Sequence, residues 1–182
     1  MKLREVTPND HLFVSILLQT AFDGPDQARL VERLRLDGDM AMELLAVDEQ
    51  TGKAIGHMSF AKLHAPAGWW SLAPVAVVRD LQFSGIGTEI IRYGLDIARQ
   101  AKAPAILATG AAKYFARFGF SAKAAEHLTS PRIRVPLLLY PIAQGTAGRA
   151  GAVIYPPAFD SFDAGDTQPQ AVPPDGALPR PC

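Results

Sequence analysis

The apolar positions along this chain change their period several times, and each change marks an element. Lys2–Val6 reads as a short opening strand. Thr7-Pro8-Asn9-Asp10 then offers a cap and a proline, and the apolar-rich run His11–Phe22 that follows reads as a helix. Asp23-Gly24-Pro25-Asp26 breaks it. Leu30, Val31, Leu34 and Leu36 recur at helical spacing, which predicts a second helix over Gln27–Leu36, ended by Asp37-Gly38. Glu43–Asp48 and Ala54–Leu63 are predicted strands joined by the turn Glu49-Gln50-Thr51-Gly52-Lys53, so the pair is a hairpin. Trp69–Val78 is a third, mostly apolar strand. It contains Pro74, which cannot donate to a neighbour, so a bulge or a splayed edge is expected there.

Downstream, Ile86, Ile90, Ile91, Gly94, Ile97, Ala98 and Ala101 form one face of a helix predicted over Ile86–Lys102 and ended by Pro104. Ala105–Thr109 is a short buried strand. Ala111–Phe118 is a short helix closed by Gly119, and Val135–Ile142 and Ala152–Tyr155 are late strands. From Asp160 the chain loses its apolar period and becomes rich in proline and glycine, which predicts a domain over residues 1–159 and a flexible tail over 160–182. The order of elements is that of a mixed α/β or α+β sheet. Within it, Trp69 to Ile106 runs strand, glycine turn, helix, strand, so those two strands are expected to be parallel neighbours.

Composition narrows the function classes. The 182 residues suffice for one domain with a sizeable core. Lys+Arg and Asp+Glu both number 18, so net charge gives no pull toward nucleic acid or an anionic membrane. The only cysteine is Cys182, which excludes an intramolecular disulfide and fits a reducing compartment. No apolar run approaches the roughly 20 residues of a membrane span, and the polar start MKLREVTPNDHLF is no secretory signal. A cytoplasmic protein is the expectation, with no metal implied.

The candidate chemistry lies in QFSGIGTEII, Gln82 to Ile91. A helix N-terminus carries free N–H groups and a partial positive charge, and glycines before it let a phosphate approach the backbone. A tight turn with no ligand explains the same glycines. A dinucleotide fingerprint would need a third glycine where Ile90 stands, and a P-loop would need a lysine after Gly87. Gln82, Gly85 and Gly87 do fill a Gln/Arg-x-x-Gly-x-Gly/Ala loop.

With LAPVAVVRDLQFSGIGTEIIRYGLDIA upstream and KYFARFGF after it, the chain resembles the GNAT superfamily of acetyl-CoA-dependent N-acetyltransferases over roughly Lys2 to Phe120. The segment YPPAFD, Tyr155 to Asp160, also resembles the ends of a bacterial subgroup. The resemblance implies a central, mostly antiparallel twisted sheet with a splayed parallel strand pair, flanked by helices. It implies acetyl-CoA as co-substrate, its pantetheine paired with the backbone of Val75, Ala76 and Val77 like an added strand. Its pyrophosphate would lie on the backbone of Gln82, Phe83, Ser84, Gly85, Ile86 and Gly87, with Thr88 opening the helix. Arg79 is near enough to add charge, and Glu89 is expected to point away.

The implied reaction is attack of a primary amine on the thioester, the acceptor being a small molecule, peptide or protein. An alkylamine, with a pKa of about 10.4, must first lose a proton, and the thiolate benefits from an acid. Where the family often has its acidic tyrosine, this chain has Phe115; Tyr114 is one residue earlier, about 100° away around a helix. Tyr114 is the candidate acid or else a packing residue, and Phe115, Phe118 and Phe120 read as core. No base stands out: His57 and His64 read as structural or exposed, and Glu32 as a solvated charge. Of Trp69 and Trp70, one belongs in the core and the other could line the acceptor mouth. The alternative is a non-catalytic acyl-CoA-binding regulatory module. Dimerisation is common in the superfamily, so the resemblance also allows a homodimer.

Overall fold

The computed structural model describes residues 1–131, 133 and 135–161. In chain order the elements are β1 (Lys2–Glu5), α1 (His11–Ala21), α2 (Asp26–Leu36), β2 (Met40–Val47), β3 (Ala54–Lys62), β4 (Trp70–Val77), α3 (Ile86–Gln100), β5 (Ala105–Thr109), α4 (Ala112–Ala116), β6 (Leu128–Thr129), β7 (Leu137–Pro141) and β8 (Gly151–Ala152). Six strands form one sheet in the order β1-β2-β3-β4-β5-β7. Every neighbour pair in it is antiparallel except β4–β5, which is parallel. The α+β architecture with one parallel pair is the one expected.

The two faces of the sheet follow from side-chain alternation. On β3, Met58 and Phe60 join Leu72 and Val75 of β4 and Ile90, Ile91 and Leu95 of α3 in the largest core cluster. The helix sits close because it presents Gly94 to the sheet: a Cβ there would fall 2.2 Å from Met58 Cε. The opposite face holds α1 and α2, where Val14, Leu18 and Val31 pack with Leu45 of β2 and Ala76 of β4. The start of α1 is fixed by Asp10, whose carboxylate accepts from the Thr7 N–H at 2.8 Å and from Arg4 at 2.7 Å.

Several boundaries differ from expectation. β2 begins at Met40 because Met40 still pairs with Ala61 after a register shift. α4 is one turn and a half, 112–116, rather than 111–118. The late strand over Ala152–Tyr155 shrinks to Gly151–Ala152; Ile154 makes a lone bridge to Ala65, and Tyr155 turns into the core. Asp160 still belongs to a 3-10 turn, Pro157–Ser161, and the rest of the expected tail lies outside the described residues. Among the described residues no helix is long and apolar enough to cross a membrane.

Candidate functional site

β4 and β5 are paired at only two positions, Trp70↔Ile106 and Ser71↔Leu107. Beyond Ser71 the strands part: β4 continues to Val77 against β3, while β5 continues to Thr109 against β7. A wedge therefore opens beside residues 72–77. Pro74 lies where the β3–β4 register shifts, between the pairs Phe60↔Leu72 and Met58↔Val75. The bulge expected at this proline is present, and its missing N–H is compatible with a strand that leaves its neighbour. Val75, Ala76 and Val77 pair with Met58, His57 and Gly56 on the β3 side, so the other backbone edge of β4 faces the wedge.

At the end of β4 the chain makes a 3-10 turn over Arg79–Leu81 and enters α3 at Ile86. Phe83 (φ 64°) and Gly85 (φ 96°) are both left-handed, and Gly85 is the N-cap. The Gln82 N–H is used by the Arg79 carbonyl at 3.1 Å, and the Thr88 N–H by the Gly85 carbonyl at 2.9 Å. Between them, the amides of Phe83, Ser84, Gly85, Ile86 and Gly87 have no hydrogen-bond acceptor among the described residues. Consecutive free amides at a helix N-terminus form an anion-binding geometry.

The two glycines have different reasons to be glycine. Gly85 needs its left-handed φ, and nothing lies within 4 Å of a Cβ built there. Gly87 has no such backbone requirement. A Cβ on it would meet the Tyr114 hydroxyl at 3.4 Å and Val77 Cγ2 at 3.6 Å, ordinary contact distances. The fold could therefore hold an alanine at Gly87, yet the position is bare.

Around this turn, the Gln82 side chain donates to the Val77 carbonyl at 3.2 Å, and the Ser84 hydroxyl to the Leu81 carbonyl. Ser84 Oγ is thus engaged with the backbone. Arg79 donates to the Thr20 carbonyl at 3.2 Å and pairs with Asp23, so it ties the α1–α2 turn to the end of β4. Phe83 and Glu89 are exposed.

Tyr114 and Phe115 part company as a 100° rotation demands. Phe115 is buried in the α3-side core against Phe120. Tyr114 is half-buried, with its hydroxyl at the first turn of α3. Burial pushes its phenol up, while Arg117 and a hydrogen bond with Thr88 pull less strongly the other way. The Arg117 guanidinium lies 5.4 Å from the Tyr114 ring centroid. Of the tryptophans, Trp69 is buried in a core cluster with Leu107 and Tyr155, whereas Trp70 packs at 5.7 Å on Phe60. His64 is exposed and bonded to Asp39, and Glu32 lies in an open groove between α1 and α2.

A family model described as "Acetyltransferase (GNAT) family" matches residues 13–120, more than half of the chain. The chain belongs to the GNAT acetyltransferase family. Curated relatives of this GNAT protein include the Escherichia coli K12 "Uncharacterized N-acetyltransferase YhbS", 30% identical over 130 residues, or 70% of this chain and 77% of the relative. The crystal structure of Escherichia coli YhbS in complex with CoA superposes with a TM-score of 0.81 at 27% identity, covering 88% of this chain and 92% of that one. A Brucella melitensis GNAT acetyltransferase in complex with acetyl-CoA gives a TM-score of 0.74 at 28% identity, covering 87% and 97%.

Two groups in this GNAT fold were not singled out by sequence reasoning. Glu43 was read only as the start of a strand, yet it links Arg35 and His57 in a buried hydrogen-bonded chain. The hairpin register contains the signal, since pairing Leu45 with His57 puts Glu43 one diagonal away on the same face. Tyr155 entered only as the end of a late strand and the start of its family segment. It is buried near Ser71 at the closed end of the wedge, and burial pushes its phenol up to about 12 against that hydroxyl.

Proposed function

We propose that this protein transfers the acetyl group of acetyl-CoA to a primary amine of a small molecule, peptide or protein. The amine attacks the thioester directly. The single observation that carries this reading is the row of unsatisfied amides from Phe83 to Gly87, beside a wedge that continues along Val75–Val77. The diphosphate would rest on that row, next to the bare α-carbon of Gly87, with Thr88 at the opening of the helix. Gln82 would support the turn through its side chain, because its N–H is already used. The pantetheine arm would pair with the free edge of β4 in the manner of an added strand. An N–H of that edge would polarise the thioester carbonyl. Tyr114 is the candidate donor to the leaving thiolate: burial holds its proton on at neutral pH. A cytoplasmic location and a homodimer complete the reading.

A non-catalytic acyl-CoA-binding module is favoured by one observation. Phe115 occupies the usual acid's position and is core, 2% exposed. The test of both is isothermal titration with CoA, followed by thiol release from acetyl-CoA over a panel of a polyamine, an aminoglycoside and a lysine peptide. Turnover with any of them supports the transferase. CoA binding with no turnover supports the module, and no heat of CoA binding contradicts both.

A further inference from the structure

The α1–α2 face of β3 buries an Arg–Glu ion pair bonded to a histidine, for which packing alone gives no reason. His57 is fully buried, and the side chains of Glu43 and Arg35 are 8% and 17% exposed. Arg35 forks onto Glu43, its Nε donating to Oε2 at 2.8 Å and an Nη to Oε1. The His57 Nε2 stands 2.7 Å from Glu43 Oε1. Burial pushes the Glu43 carboxyl up, but the bonds from His57 and Arg35 outweigh it and hold it at about 2. An ionised carboxylate can only accept, so Nε2 carries a proton, and in the neutral ring Nδ1 is left with a free lone pair. That Nδ1 is buried and has no hydrogen-bond partner among the described residues, and neither has the Ser59 hydroxyl two residues along the same face of β3. Glu43 from β2 is bonded to the ring, and Arg35 from α2 reaches it through Glu43. The cross-strand neighbours Leu45 and Ala76 belong to an apolar cluster with Val14, Leu18 and Val31.

The place of this chain in the sheet gives it a use. His57 is the direct cross-strand partner of Ala76, whose other edge forms the wedge. β4 stands one strand spacing, about 5 Å, from β3, and the wedge opens on its far edge, so the path from the ring passes the single methyl group of Ala76 and would be completed by ordered water. We propose that His57 is the proton acceptor for the attacking amine, reached through buried water, with Glu43 and Arg35 as positioning residues. This rests on the transferase reading. The acceptor ammonium gives one proton through water to Nδ1, and the freed lone pair forms the C–N bond. The C–S bond breaks with its electron pair on sulfur. The collapsing intermediate's second proton ends on the thiolate, giving the free thiol of CoA, and His57 returns its proton to solvent. Glu43 fixes the ring's tautomer and Arg35 fixes Glu43.

The experiment has two arms on the full chain. Long-range nitrogen-coupled NMR of the CoA complex at pH 8 reads the ring without any acceptor. A protonated Nε2 with an unprotonated Nδ1 is expected, and a proton on Nδ1 overturns the proposal. The second arm compares wild type and His57→Gln by thiol release over the amine panel between pH 6 and 10. The variant should lose about 100-fold in kcat near pH 7. The deficit should shrink as pH rises and solution deprotonates the amine, while the CoA dissociation constant stays within twofold. A loss that is the same at every pH, or no loss, overturns the assignment. Absent CoA binding in the wild type defeats the transferase reading instead, whereas CoA binding with Nδ1 protonated defeats this inference alone.

Discussion

Replacing Gly87 with alanine separates a glycine kept for the fold from one kept for a ligand. Gly87 lies in the first turn of α3, and the nearest atoms to an added Cβ are 3.4 and 3.6 Å away, so no neighbour has to move. Alanine in place of helical glycine stabilises by about 0.5–1 kcal/mol. For a chain of this size that raises Tm by ~1–4 °C. The methyl group would instead occupy the approach to the row of amides. Losing one hydrogen bond to a charged phosphate costs about 1.5–3 kcal/mol, which is a fall in CoA affinity of about 10- to 150-fold. The assay is thermal unfolding of the free protein together with isothermal titration with CoA. A variant of unchanged or raised Tm with weakened CoA binding is expected. A lowered Tm with intact CoA binding would show the opposite, that the glycine serves the turn alone.

Other outcomes follow from the same geometry. Gly85→Ala should behave in the opposite way in the free protein: its φ of 96° makes a side chain strained, so stability should fall by about 1–2 kcal/mol in urea unfolding. If Tyr114 donates to the thiolate, Tyr114→Phe should lower kcat about tenfold and leave the CoA dissociation constant within twofold; a large rise in that constant would make it an anchor for the cofactor. Glu43 titrates near 4.5 unfolded and about 2 folded, so its stabilisation is present above pH 4.5 and is lost as pH falls toward 2. About 2 kcal/mol should be gone by pH 3, and Glu43→Gln should flatten the pH dependence of urea unfolding by that amount, although the variant is itself destabilised. Asp10 works in the same direction, since Arg4 and Thr7 outweigh its burial and hold its carboxyl well below the usual range.

Local signals made the frame of this protein legible. The helical period of α3, the hairpin β2–β3 and the glycine turn each depend on neighbouring residues, and all three appear in the structure. Pro74 pointed to the irregularity in β4 for the same reason: a missing N–H is a property of one residue. What the sequence hid depends on register and on long-range approach. The Arg35–Glu43–His57 chain needs a helix end and two strands at once, and its histidine looked like an ordinary strand residue. Tyr155 is 84 residues from Ser71, and no periodicity connects them. The boundary errors have a similar origin. Met40 and Ala61 pair only after a bulge, and β8 is short because Ile154 bridges to Ala65 while Tyr155 packs inward.

The most direct measurement is a crystal structure of the full chain with acetyl-CoA. Diphosphate oxygens are expected at roughly 2.7–3.1 Å from the amides of Phe83 to Gly87, with the pantetheine arm hydrogen-bonded along Val75 to Val77 in the wedge. Phosphates bound elsewhere, with those five amides facing solvent and β4 zipped onto β5 past Ser71, would contradict this.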